Sequence, residues 1–343
     1  MLTAELIAPR QFRVVQQETA DPAPGEIQVR VDAVGVCGSD LHSYSEGAVG
    51  DTTAVYPMVL GHEPAGTVMR TGAAVTGWSP GDRVALEPAL YCYHCEYCRA
   101  GRYNVCANLR FLSTPGNPGF FRQFVNLPPE SLLAIPPAMS MEMAALVEPL
   151  AVALHSLKLA APWAGQTVAV FGAGAIGLLT IASLKAAGAG RIWAVEPLAH
   201  RREMALHMGA DAAVDPAAVD AVRQIAADTG GRGVDGAIDC AAKGDTINQA
   251  LRAVCHAGRV VLTGIHSGVV VPFETSPMRR KEVTLFNVRR SNDECPAALE
   301  LLVERSRWFA PLLTHRRRLE NIGEAFAIAE SYADGVGRMM VVA

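Results

Sequence analysis

Short apolar runs separated by turn residues fill the first 140 residues of the chain. Residues 27–34 alternate apolar and polar positions with a period of two, directly after a turn cluster at 22–25. Residues 66–69 and 83–86 look like further strands, separated by a second turn at 79–82. Many short strands at such spacing predict a compact β-barrel or β-sandwich.

The pattern changes near residue 140. Residues 141–160 are apolar on nearly every face, which predicts a buried helix, with Pro149 marking a kink or a restart. Apolar runs that suit parallel strands then alternate with Ala-rich helical segments, at 168–171, 192–195, 236–239 and 259–262. The chain closes with a strand pattern at 283–288, helical patterns at 297–303 and 322–329, and a strand at 338–342. The sequence therefore predicts an α/β protein whose second domain, a doubly wound parallel sheet, begins near residue 150.

Length and composition fit this division into two domains. A chain of 343 residues suits two domains of ordinary size, and 50% hydrophobic against 19% charged residues supplies material for packed cores. The 30 Lys and Arg against 34 Asp and Glu give a net charge of −4, which offers no basic field for nucleic acid or anionic lipid. We therefore expect neither a nucleic-acid partner nor a membrane partner.

The sequence gives no sign of export or membrane insertion. The most apolar stretch, residues 168–184, is interrupted by three glycines and is barely long enough to cross a bilayer. The N-terminus carries an early acid, Glu5, and lacks the basic and apolar segments of a secretory signal. The eight cysteines are then better explained as thiols kept for metal than as a disulfide framework, and we expect a cytoplasmic protein.

A glycine-rich segment joins the first strand of the second domain to a helical pattern. It reads Gly172-Ala173-Gly174-Ala175-Ile176-Gly177, and the next predicted strand ends in an acid, Glu196. These glycines allow a tight turn and a close approach of the backbone to a pyrophosphate at the helix N-terminus. A carboxylate at position 196 would accept hydrogen bonds from the adenosine ribose and repel a 2′-phosphate, which favours NAD over NADP. Arg201 and Arg202 follow shortly after Glu196 and could bind a 2′-phosphate, so NADP stays an alternative cofactor. The alternative without a cofactor is a structural turn beside a surface acid.

Four cysteines lie within fifteen residues, at Cys92, Cys95, Cys98 and Cys106. This spacing allows four thiolates to converge on one tetrahedral zinc, and ligation of an iron–sulfur cluster is the chemical alternative. Four thiols crowded in a loop without metal are a poor explanation, because nothing apolar nearby would bury them. Because four thiolates leave no coordination position open, we expect a structural role.

A second set of possible ligands is dispersed along the chain. Cys37 follows a predicted strand, His62 and Glu63 come further on, and Glu148 lies at the domain boundary. Alone, each residue would be ordinary, since a single Cys or His usually has a structural role. Together they offer thiolate, imidazole and carboxylates, a workable set for a catalytic zinc with an open fourth position.

In combination, these motifs resemble those of the zinc-dependent medium-chain dehydrogenases of the alcohol dehydrogenase superfamily, and within that family the sorbitol (polyol) dehydrogenase branch. Three further segments carry the resemblance: Cys37-Gly38-Ser39-Asp40, Gly81-Asp82-Arg83-Val84, and Glu148-Pro149-Leu150-Ala151-Val152 with His155. The resemblance implies an N-terminal GroES-like β-barrel domain at residues 1–150, completed by 290–343. It further implies a Rossmann NAD-binding domain at 151–289.

Carried over to this chain, the resemblance makes Cys37 and His62 ligands of the catalytic zinc. Glu63 becomes a ligand or its close exchange partner. Glu148 stands where the alcohol dehydrogenase branch has a second cysteine, an exchange that is typical of the polyol and threonine branches. Which of the two glutamates binds zinc directly in the resting state stays open. With the four-cysteine segment, the resemblance implies two zinc ions per chain, one catalytic and one structural.

The implied reaction is the oxidation of a secondary alcohol to a ketone, with zinc as the Lewis acid and NAD as the hydride acceptor. Ser39 resembles the first proton-relay hydroxyl of the family. His42 would pass the proton towards solvent, or is an ordinary loop histidine.

The residues that would select the substrate depart from the polyol pattern. Arg289 lies where polyol dehydrogenases resemble one another in having a substrate-contacting arginine, but Arg290 replaces the aromatic residue that usually follows. A second guanidinium indicates either a substrate with a carboxylate (an aldonate) or a plain solvated charge. Ser43 stands where polyol enzymes tend to carry a tyrosine. In this chain the tyrosine, Tyr44, comes one position further along the sequence. Phe120 is a candidate pocket residue, or simply part of the core.

The predicted function is therefore NAD- and zinc-dependent dehydrogenation of a small polyol or sugar-type alcohol. Dehydrogenation of an aldonate, threonine or 2,3-butanediol is an alternative within the class, and a non-catalytic zinc protein that senses nucleotide is the alternative outside it. The number of zinc ions bound per chain distinguishes the enzyme from the sensor: we expect two for the enzyme and about one for the sensor. The resemblance also implies a homotetramer or homodimer joined through sheet edges.

Overall fold

The computed structural model describes all 343 residues, which form two compact units. The first consists of Met1–Glu148, Asn292–Ser306 and Leu313–Ala343, and the second of Pro149–Ser291 and Arg307–Leu312. The boundaries expected at residues 150 and 290 lie within two residues of these, but Arg307–Leu312 belongs to the second unit and not to the first. None of the helices combines the length and the hydropathy that a bilayer crossing requires.

Nineteen strands, eleven α-helices and five short 3₁₀ helices make up the two units. The strands are β1 (Leu2–Ala8), β2 (Gln11–Gln16), β3 (Ile27–Gly35), β4 (Ala48–Val49), β5 (Thr52–Thr53), β6 (Glu63–Thr71), β7 (Arg83–Leu86), β8 (Ala89–Leu90), β9 (Arg110–Phe111), β10 (Phe124–Leu127), β11 (Leu132–Ala134), β12 (Thr167–Phe171), β13 (Arg191–Val195), β14 (Ala212–Val214), β15 (Val234–Asp239), β16 (Val254–Leu262), β17 (Thr284–Asn287), β18 (His315–Arg318) and β19 (Met339–Val342). The α-helices are α1 (Gly38–Ser45), α2 (Glu96–Arg99), α3 (Met141–Ala144), α4 (Val147–Leu159), α5 (Ala175–Ala186), α6 (Ala199–His207), α7 (Ala221–Asp228), α8 (Thr246–Ala253), α9 (Thr275–Lys281), α10 (Cys295–Phe309) and α11 (Ile322–Ser331). The 3₁₀ helices lie at Tyr103–Val105, Pro129–Ser131, Ala310–Leu312, Leu319–Asn321 and Ala333–Gly335.

A seven-stranded sheet forms the framework of the first unit. Its strands lie in the order β11-β7-β6-β3-β19-β18, and β10 also pairs with β3. The alternating pattern of β3 buries Val29 and Val31 in the core of this unit, where each such side chain contributes about 1.5–3 kcal/mol. β19 pairs antiparallel with β3, with Val341 opposite Val34. The segment 339–342 therefore completes the sheet that contains β3, the strand that leads to Cys37.

A six-stranded sheet forms the centre of the second unit. Its strands lie in the order β14-β13-β12-β15-β16-β17, and every neighbouring pair is parallel. β12 is buried along almost its whole length, which explains its continuous apolar run. The strand order reverses between β12 and β15. In doubly wound sheets the carboxyl edge at such a reversal is where ligands bind.

The helical segment predicted at 141–160 consists of two helices. α3 ends at Ala144 and α4 begins at Val147, so the restart that we expected at Pro149 comes two residues earlier. Pro149 lies in the first turn of α4, where its missing N–H removes no intrahelical hydrogen bond.

Candidate active site

Cys37 lies at the junction between β3 and α1. Its backbone is extended (φ −87°, ψ 158°), and it forms the N-cap of α1. Asp40, in the first turn of the helix, accepts a hydrogen bond from the Cys37 N–H on Oδ2 at 3.1 Å. That contact gives the Cys37 N–H a partner at the helix start and places a negative charge at the positive end of the helix dipole. The Cys37 thiol is thus held at a defined strand–helix junction.

His62 and Glu63 reach the same point from β6. The pairing of β3 with β6 places Gly35 opposite Glu63, beside the end of β3 that leads to Cys37. The donor atoms of Cys37, His62 and Glu63 all lie within 4.8 Å of one another. Both His62 and Glu63 are buried. A thiolate, an imidazole and a carboxylate at this spacing fit a tetrahedral zinc with one position left open.

Glu148 is not part of this convergence. It is buried in the first turn of α4, but it does not belong to the group of donors within 4.8 Å. Of the four ligands that the family resemblance implies, the structure therefore brings three together.

Asp40 also orients His62. Asp40 Oδ1 lies 3.3 Å from His62 Nδ1 and accepts the Gly61 N–H at 3.1 Å. With Nδ1 facing a carboxylate, Nε2 is the nitrogen left for a metal, and the carboxylate raises the basicity of the ring. Ser39 Oγ lies 3.4 Å from Nε2, on this ligand side of the imidazole.

The charges of the cluster depend on one another. Burial opposes ionisation of the Cys37 thiol, but the charge and hydrogen bond of His62 outweigh it and lower the pKa of Cys37 to about 7. Burial likewise opposes protonation of His62, yet Asp40 and Cys37 raise the pKa of His62 well above its ordinary value. A thiol that ionises near neutral pH is prepared to bind a metal.

Arg338 forms a buried ion pair with Glu63, a contact that the sequence did not predict. Arg338 Nη2 contacts Glu63 Oε2, and the two side chains are 3% and 0% exposed. Arg338 directly precedes β19, whose pairing with β3 brings the end of the chain to the site. The guanidinium compensates a carboxylate that would be costly to bury alone. The partners come from opposite ends of the chain, so no local pattern could have revealed the pair.

The four cysteines of the predicted structural metal site lie close together. Their Sγ atoms are separated by 3.5 Å (Cys92–Cys106), 3.9 Å (Cys95–Cys106) and 4.0 Å (Cys92–Cys98). Zinc–sulfur bonds of about 2.3 Å in a tetrahedron require about 3.8 Å between sulfurs. The observed separations fit one ion held by four thiolates. They leave no room for the inorganic core of an iron–sulfur cluster, and all four cysteines are free of disulfides.

The four thiols ionise with different ease. Hydrogen bonds from the Asn108 side chain and the His94 backbone lower the pKa of Cys92 to about 5. Burial instead raises the pKa of Cys98 to about 12. A metal bound here must therefore displace the Cys98 proton, which makes metal binding dependent on pH. Asn292 fastens this segment within the first unit, because its Oδ1 accepts the Tyr103 N–H at 2.7 Å.

The glycine-rich segment forms the turn between β12 and α5 at the carboxyl edge of the parallel sheet. Gly172 has a left-handed backbone (φ 89°), and a Cβ on Gly177 would lie 1.9 Å from the Gly172 carbonyl oxygen. Gly174 forms the N-cap of α5. Backbone N–H groups and the positive end of a helix dipole at this edge fit a dinucleotide pyrophosphate.

Glu196 follows β13 and binds to the same turn. Its Oε2 accepts the Ala173 N–H at 2.7 Å and its Oε1 accepts the Leu198 N–H at 3.0 Å. A carboxylate can accept about four hydrogen bonds, so it retains capacity for ribose hydroxyls. Arg202 donates to the Glu196 carbonyl at 2.8 Å and lies 3.1 Å from the Asp215 carboxylate. A Cβ on Gly174 would lie 3.7 Å from Arg201 Nη1, so Arg201 also lies near the turn.

The residues predicted to select the substrate have different surroundings. Arg289 and Arg290 follow β17, and their contact with substrate stays a prediction. Phe120 is completely buried in the hydrophobic core of the first unit. We therefore correct its assignment as a pocket residue, since a side chain without exposed surface has no face for a substrate. Tyr44 also packs in this core, with ring centroids 5.0 Å from Phe326, and does not replace the tyrosine missing at position 43.

Comparison with known proteins supports the family resemblance that the sequence motifs indicate. Residues 23–137 match the family profile "Alcohol dehydrogenase GroES-like domain", and residues 175–304 match "Zinc-binding dehydrogenase". The chain is 34% identical to the sorbitol dehydrogenase of Bacillus subtilis over 334 residues, which cover 97% of this chain and 94% of that one. It is 40% identical to "Probable D-xylulose reductase A" of Emericella nidulans over 247 residues, or 71% of this chain and 69% of that one.

Solved structures match this chain along its full length. A zinc-binding dehydrogenase of Sinorhizobium meliloti bound to NADP matches with a TM-score of 0.91 and 30% identity, over 100% of this chain and 99% of that one. The 2R,3R-butanediol dehydrogenase of Bacillus subtilis matches with a TM-score of 0.89 and 32% identity, again over 100% and 99%. The L-idonate 5-dehydrogenase of Escherichia coli matches with a TM-score of 0.91 and 27% identity, over 100% and 98%.

The chain belongs to the zinc-dependent medium-chain dehydrogenases of the alcohol dehydrogenase superfamily. It is an oxidoreductase. Within the family it groups with the sorbitol dehydrogenases and D-xylulose reductases of the polyol branch. The predicted fold class, a GroES-like β domain followed by a Rossmann-type parallel sheet, is confirmed.

Proposed function

We propose that the protein is an NAD- and zinc-dependent dehydrogenase that oxidises a secondary alcohol of a small polyol or sugar-type substrate to a ketone. The convergence of Cys37, His62 and Glu63 within 4.8 Å carries this proposal, because it provides donors for a zinc with an open position. When bound, zinc supplies a Lewis acid for the substrate hydroxyl, and NAD supplies the hydride acceptor. The similarity to sorbitol dehydrogenase and D-xylulose reductase supports a polyol substrate.

Cys37, His62 and Glu63 would hold the catalytic zinc, with Glu148 as the additional carboxylate that the family resemblance implies. Cys37, Glu63 and Glu148 would place three negative charges against the two positive charges of zinc. Arg338, paired with Glu63, brings the sum of these groups to zero. We therefore expect this ligand set to acidify a zinc-bound hydroxyl less strongly than neutral ligands would.

Ser39 and His42 would move the proton released from the substrate. Ser39 Oγ lies on the ligand side of His62, 3.4 Å from Nε2. His42 is three residues further along α1, and residues at this spacing are neighbours on a helix surface. His42 Nδ1 lies 3.0 Å from Glu46 Oε1, and its side chain is 24% exposed. A partly exposed imidazole fixed through Nδ1 can exchange a proton with water through Nε2.

We propose NAD over NADP as the cofactor, held by the glycine-rich turn and Glu196. The Glu196 carboxylate would repel a 2′-phosphate. Arg202 is engaged by the Glu196 carbonyl and by Asp215, which reduces its capacity to bind such a phosphate. The related dehydrogenase bound to NADP makes NADP the competing cofactor to be tested.

We also propose that the four-cysteine segment binds a structural zinc, giving two zinc ions per chain. Sulfur separations of 3.5–4.0 Å support one tetrahedral ion. All eight cysteines are free thiols, which is consistent with a reducing, cytoplasmic compartment.

A homo-oligomer, either a dimer or a tetramer, is the proposed assembly. Four apolar side chains between β16 and α9 are exposed, Ile265, Val269, Val270 and Phe273. β17 is the last strand of the parallel sheet, so its outer edge offers unpaired backbone groups nearby in sequence. An exposed apolar segment and a free strand edge close to it in the sequence both suit contact with a second copy.

Dehydrogenation of an aldonate is the second candidate for the substrate class. The observation that favours it is the pair Arg289 and Arg290, which adds a guanidinium where polyol enzymes usually carry an aromatic residue. L-idonate 5-dehydrogenase, one of the structurally similar proteins, has a name that fits such a substrate.

The test is NADH formation by the zinc-loaded protein with xylitol, sorbitol, galactitol, 2,3-butanediol, threonine and several aldonates, each with NAD and NADP. We expect turnover of a neutral polyol with NAD and two zinc ions per chain. Selective turnover of an aldonate, lost in Arg290→Ala, would favour the second candidate. Two bound zinc ions without turnover of any compound would contradict the proposed substrate class, and one zinc per chain would favour a nucleotide sensor.

A further inference from the structure

The end of β9 and the loop after it contact the Asp40–His62 pair, although they contribute no predicted metal ligand. The ring of Phe111 lies 5.5 Å from the ring of His62, measured between centroids. Two residues later, Ser113 Oγ donates a hydrogen bond to Asp40 Oδ1 at 3.2 Å. Packing against the imidazole and hydrogen bonding to its carboxylate partner thus come from one short segment.

Asp40 is almost completely buried, and four groups surround its carboxylate. Oδ2 accepts the Cys37 N–H at 3.1 Å. Oδ1 accepts the Gly61 N–H at 3.1 Å and the Ser113 hydroxyl at 3.2 Å, and lies 3.3 Å from His62 Nδ1. Two of these groups are backbone and one is the imidazole that Asp40 orients. Ser113 is therefore the side chain whose hydroxyl fixes the direction of Asp40 Oδ1 independently of the metal ligands.

Ser113 makes this contact from a strained backbone. Its φ is 86°, in the left-handed region that costs energy for a residue with a Cβ. The loop is closed by the Ser113 N–H, which donates to the Asn117 carbonyl at 2.8 Å, and by Thr114 Oγ1, which donates to the Phe111 carbonyl at 2.6 Å. Glycine would adopt this conformation freely, so a serine here retains a hydroxyl at a conformational cost.

We propose that Ser113 is a positioning residue of the candidate catalytic metal site. Its hydroxyl holds the Asp40 carboxylate in the direction that orients His62 Nδ1, and through the ring it directs Nε2 towards the metal. Ser113 itself touches neither metal nor substrate. The inference rests on the proposed function, because it assumes that Cys37 and His62 bind zinc.

Two variants separate the hydroxyl from the backbone strain. Both Ser113→Ala and Ser113→Gly remove the hydroxyl, but only Ser113→Gly also relieves the positive φ. We expect each variant to bind the catalytic zinc about tenfold more weakly, which is the lower end of the effect seen when hydrogen-bond partners of metal ligands are removed. The effect is small because Asp40 keeps its two backbone donors. Ser113→Gly should unfold at the same temperature as the parent protein or higher, which would separate metal positioning from general stability.

Zinc affinity is measured by competition with a chelator, and the four-cysteine zinc serves as the internal reference. Its affinity should not change in either variant. Ser45→Ala is the matched control, since it removes another hydroxyl of the same unit, one that donates to the Leu41 carbonyl and not to Asp40. With cobalt in the catalytic site, the visible absorption bands should shift in both Ser113 variants and stay as in the parent protein for Ser45→Ala. In the zinc enzyme we expect a lower kcat with little change in KM, because Ser113 does not contact substrate.

Unchanged zinc affinity and cobalt spectra in both Ser113 variants would overturn this inference and leave the proposed function intact. Loss of affinity in Ser113→Ala alone would also overturn it, because loop strain and not the hydroxyl would then be responsible. A parent protein that binds metal only at the four cysteines would overturn both the inference and the proposed function.

Discussion

Glu63 and Arg338 pair in a region with almost no contact with water. Removing one partner of a buried ion pair leaves a charge without compensation and costs about 3–5 kcal/mol. We therefore expect Arg338→Met to lower the free energy of unfolding of the metal-free protein by about this amount. The loss should be smaller with zinc bound, since the ion also compensates Glu63. Chemical unfolding with and without metal measures both values.

The double variant Glu63→Gln/Arg338→Met is the control for this prediction. It removes both charges, and contact partners of this kind are expected to be strongly non-additive. We expect the double variant to be more stable than Arg338→Met alone. If Arg338→Met were as stable as the parent protein, the pair would not compensate Glu63 as we infer.

Cys240 and Cys37 should differ sharply in their reactivity. Burial raises the pKa of Cys240 to about 12, whereas His62 overcomes burial and lowers the pKa of Cys37 to about 7. Only the thiolate is a nucleophile, so at pH 8 Cys37 is mostly reactive and Cys240 is not. In the metal-free native protein we expect iodoacetamide to modify Cys37 and to spare Cys240, as measured by peptide mass spectrometry.

Lowering the pH from 8 to 6 should protect Cys37 as well, since the pH then falls below its pKa. Unfolded protein at pH 8 is the control and should be modified at both cysteines. Rapid alkylation of Cys240 in the native state would show that its surroundings open in solution.

Which site residues could be predicted from the sequence depends on where their partners lie. Cys37, His62 and Glu63 carry recognisable ligand chemistry in short motifs, so they could be proposed without a structure. Asp40 left a weaker local signal, an acid three residues after a helix N-cap. Arg338 and Ser113 act through contacts between distant segments, and neither has a side chain that indicates a metal site by itself.

At the scale of elements, the turn between β12 and α5 depends on two glycines in different ways. A Cβ on Gly177 would lie 1.9 Å from the Gly172 carbonyl oxygen, so the strand–helix turn must shift to admit it. The nearest atom to a Cβ on Gly174 is Arg201 Nη1 at 3.7 Å, an ordinary contact. We expect Gly177→Ala to lower the melting temperature and to weaken NADH binding at least tenfold, as measured by thermal unfolding and fluorescence titration, since it distorts the pyrophosphate cradle.

Gly174→Ala is the matched variant and should keep the melting temperature of the parent protein. Its methyl group would stand at the N-cap of α5, where the backbone is expected to face the pyrophosphate, so NADH binding should weaken without loss of stability. Normal NADH binding by both variants would contradict the assignment of this turn to the cofactor.

Strands with a clear hydrophobic pattern were predicted well, whereas strands that form only through pairing with a neighbouring strand were not. β3, β7 and the parallel strands carry alternating or continuous apolar runs, which predict strands without knowledge of their partners. The first hairpin, β1 and β2, lies where short strands were expected, but neither strand was predicted individually. β1 reads LTAELIA, rich in Leu, Ala and Glu, which favour helices in isolation. Its strand conformation comes from antiparallel pairing with β2, a tertiary effect that overrides local preference.

At the scale of the whole molecule, the order of the chain determines which parts must fold together. β19 comes from the last residues and pairs with β3, so the first unit cannot complete its sheet before the intervening second unit has been synthesised. That arrangement also explains why Arg338 can serve a site whose other residues lie in the first part of the chain.

Assembly of the chain can be tested on the exposed apolar segment between β16 and α9. Val270 is 86% exposed, and Val269 and Phe273 are exposed beside it. If this segment contacts a second copy, a charge at its centre would be buried without a partner at each interface, which typically costs several kcal/mol. We expect Val270→Glu to shift the protein towards monomer in light scattering after size-exclusion chromatography.

Val219→Glu is the matched control for the assembly prediction, since Val219 is another exposed valine of the second unit, outside this segment. It should retain the mass of the parent assembly. The fold of the monomer should survive Val270→Glu, because a side chain this exposed contributes little to its own core. An unchanged assembly in Val270→Glu would assign the contact to another surface, such as the free edge of β17 alone. A parent protein that is already monomeric would contradict the proposed assembly itself.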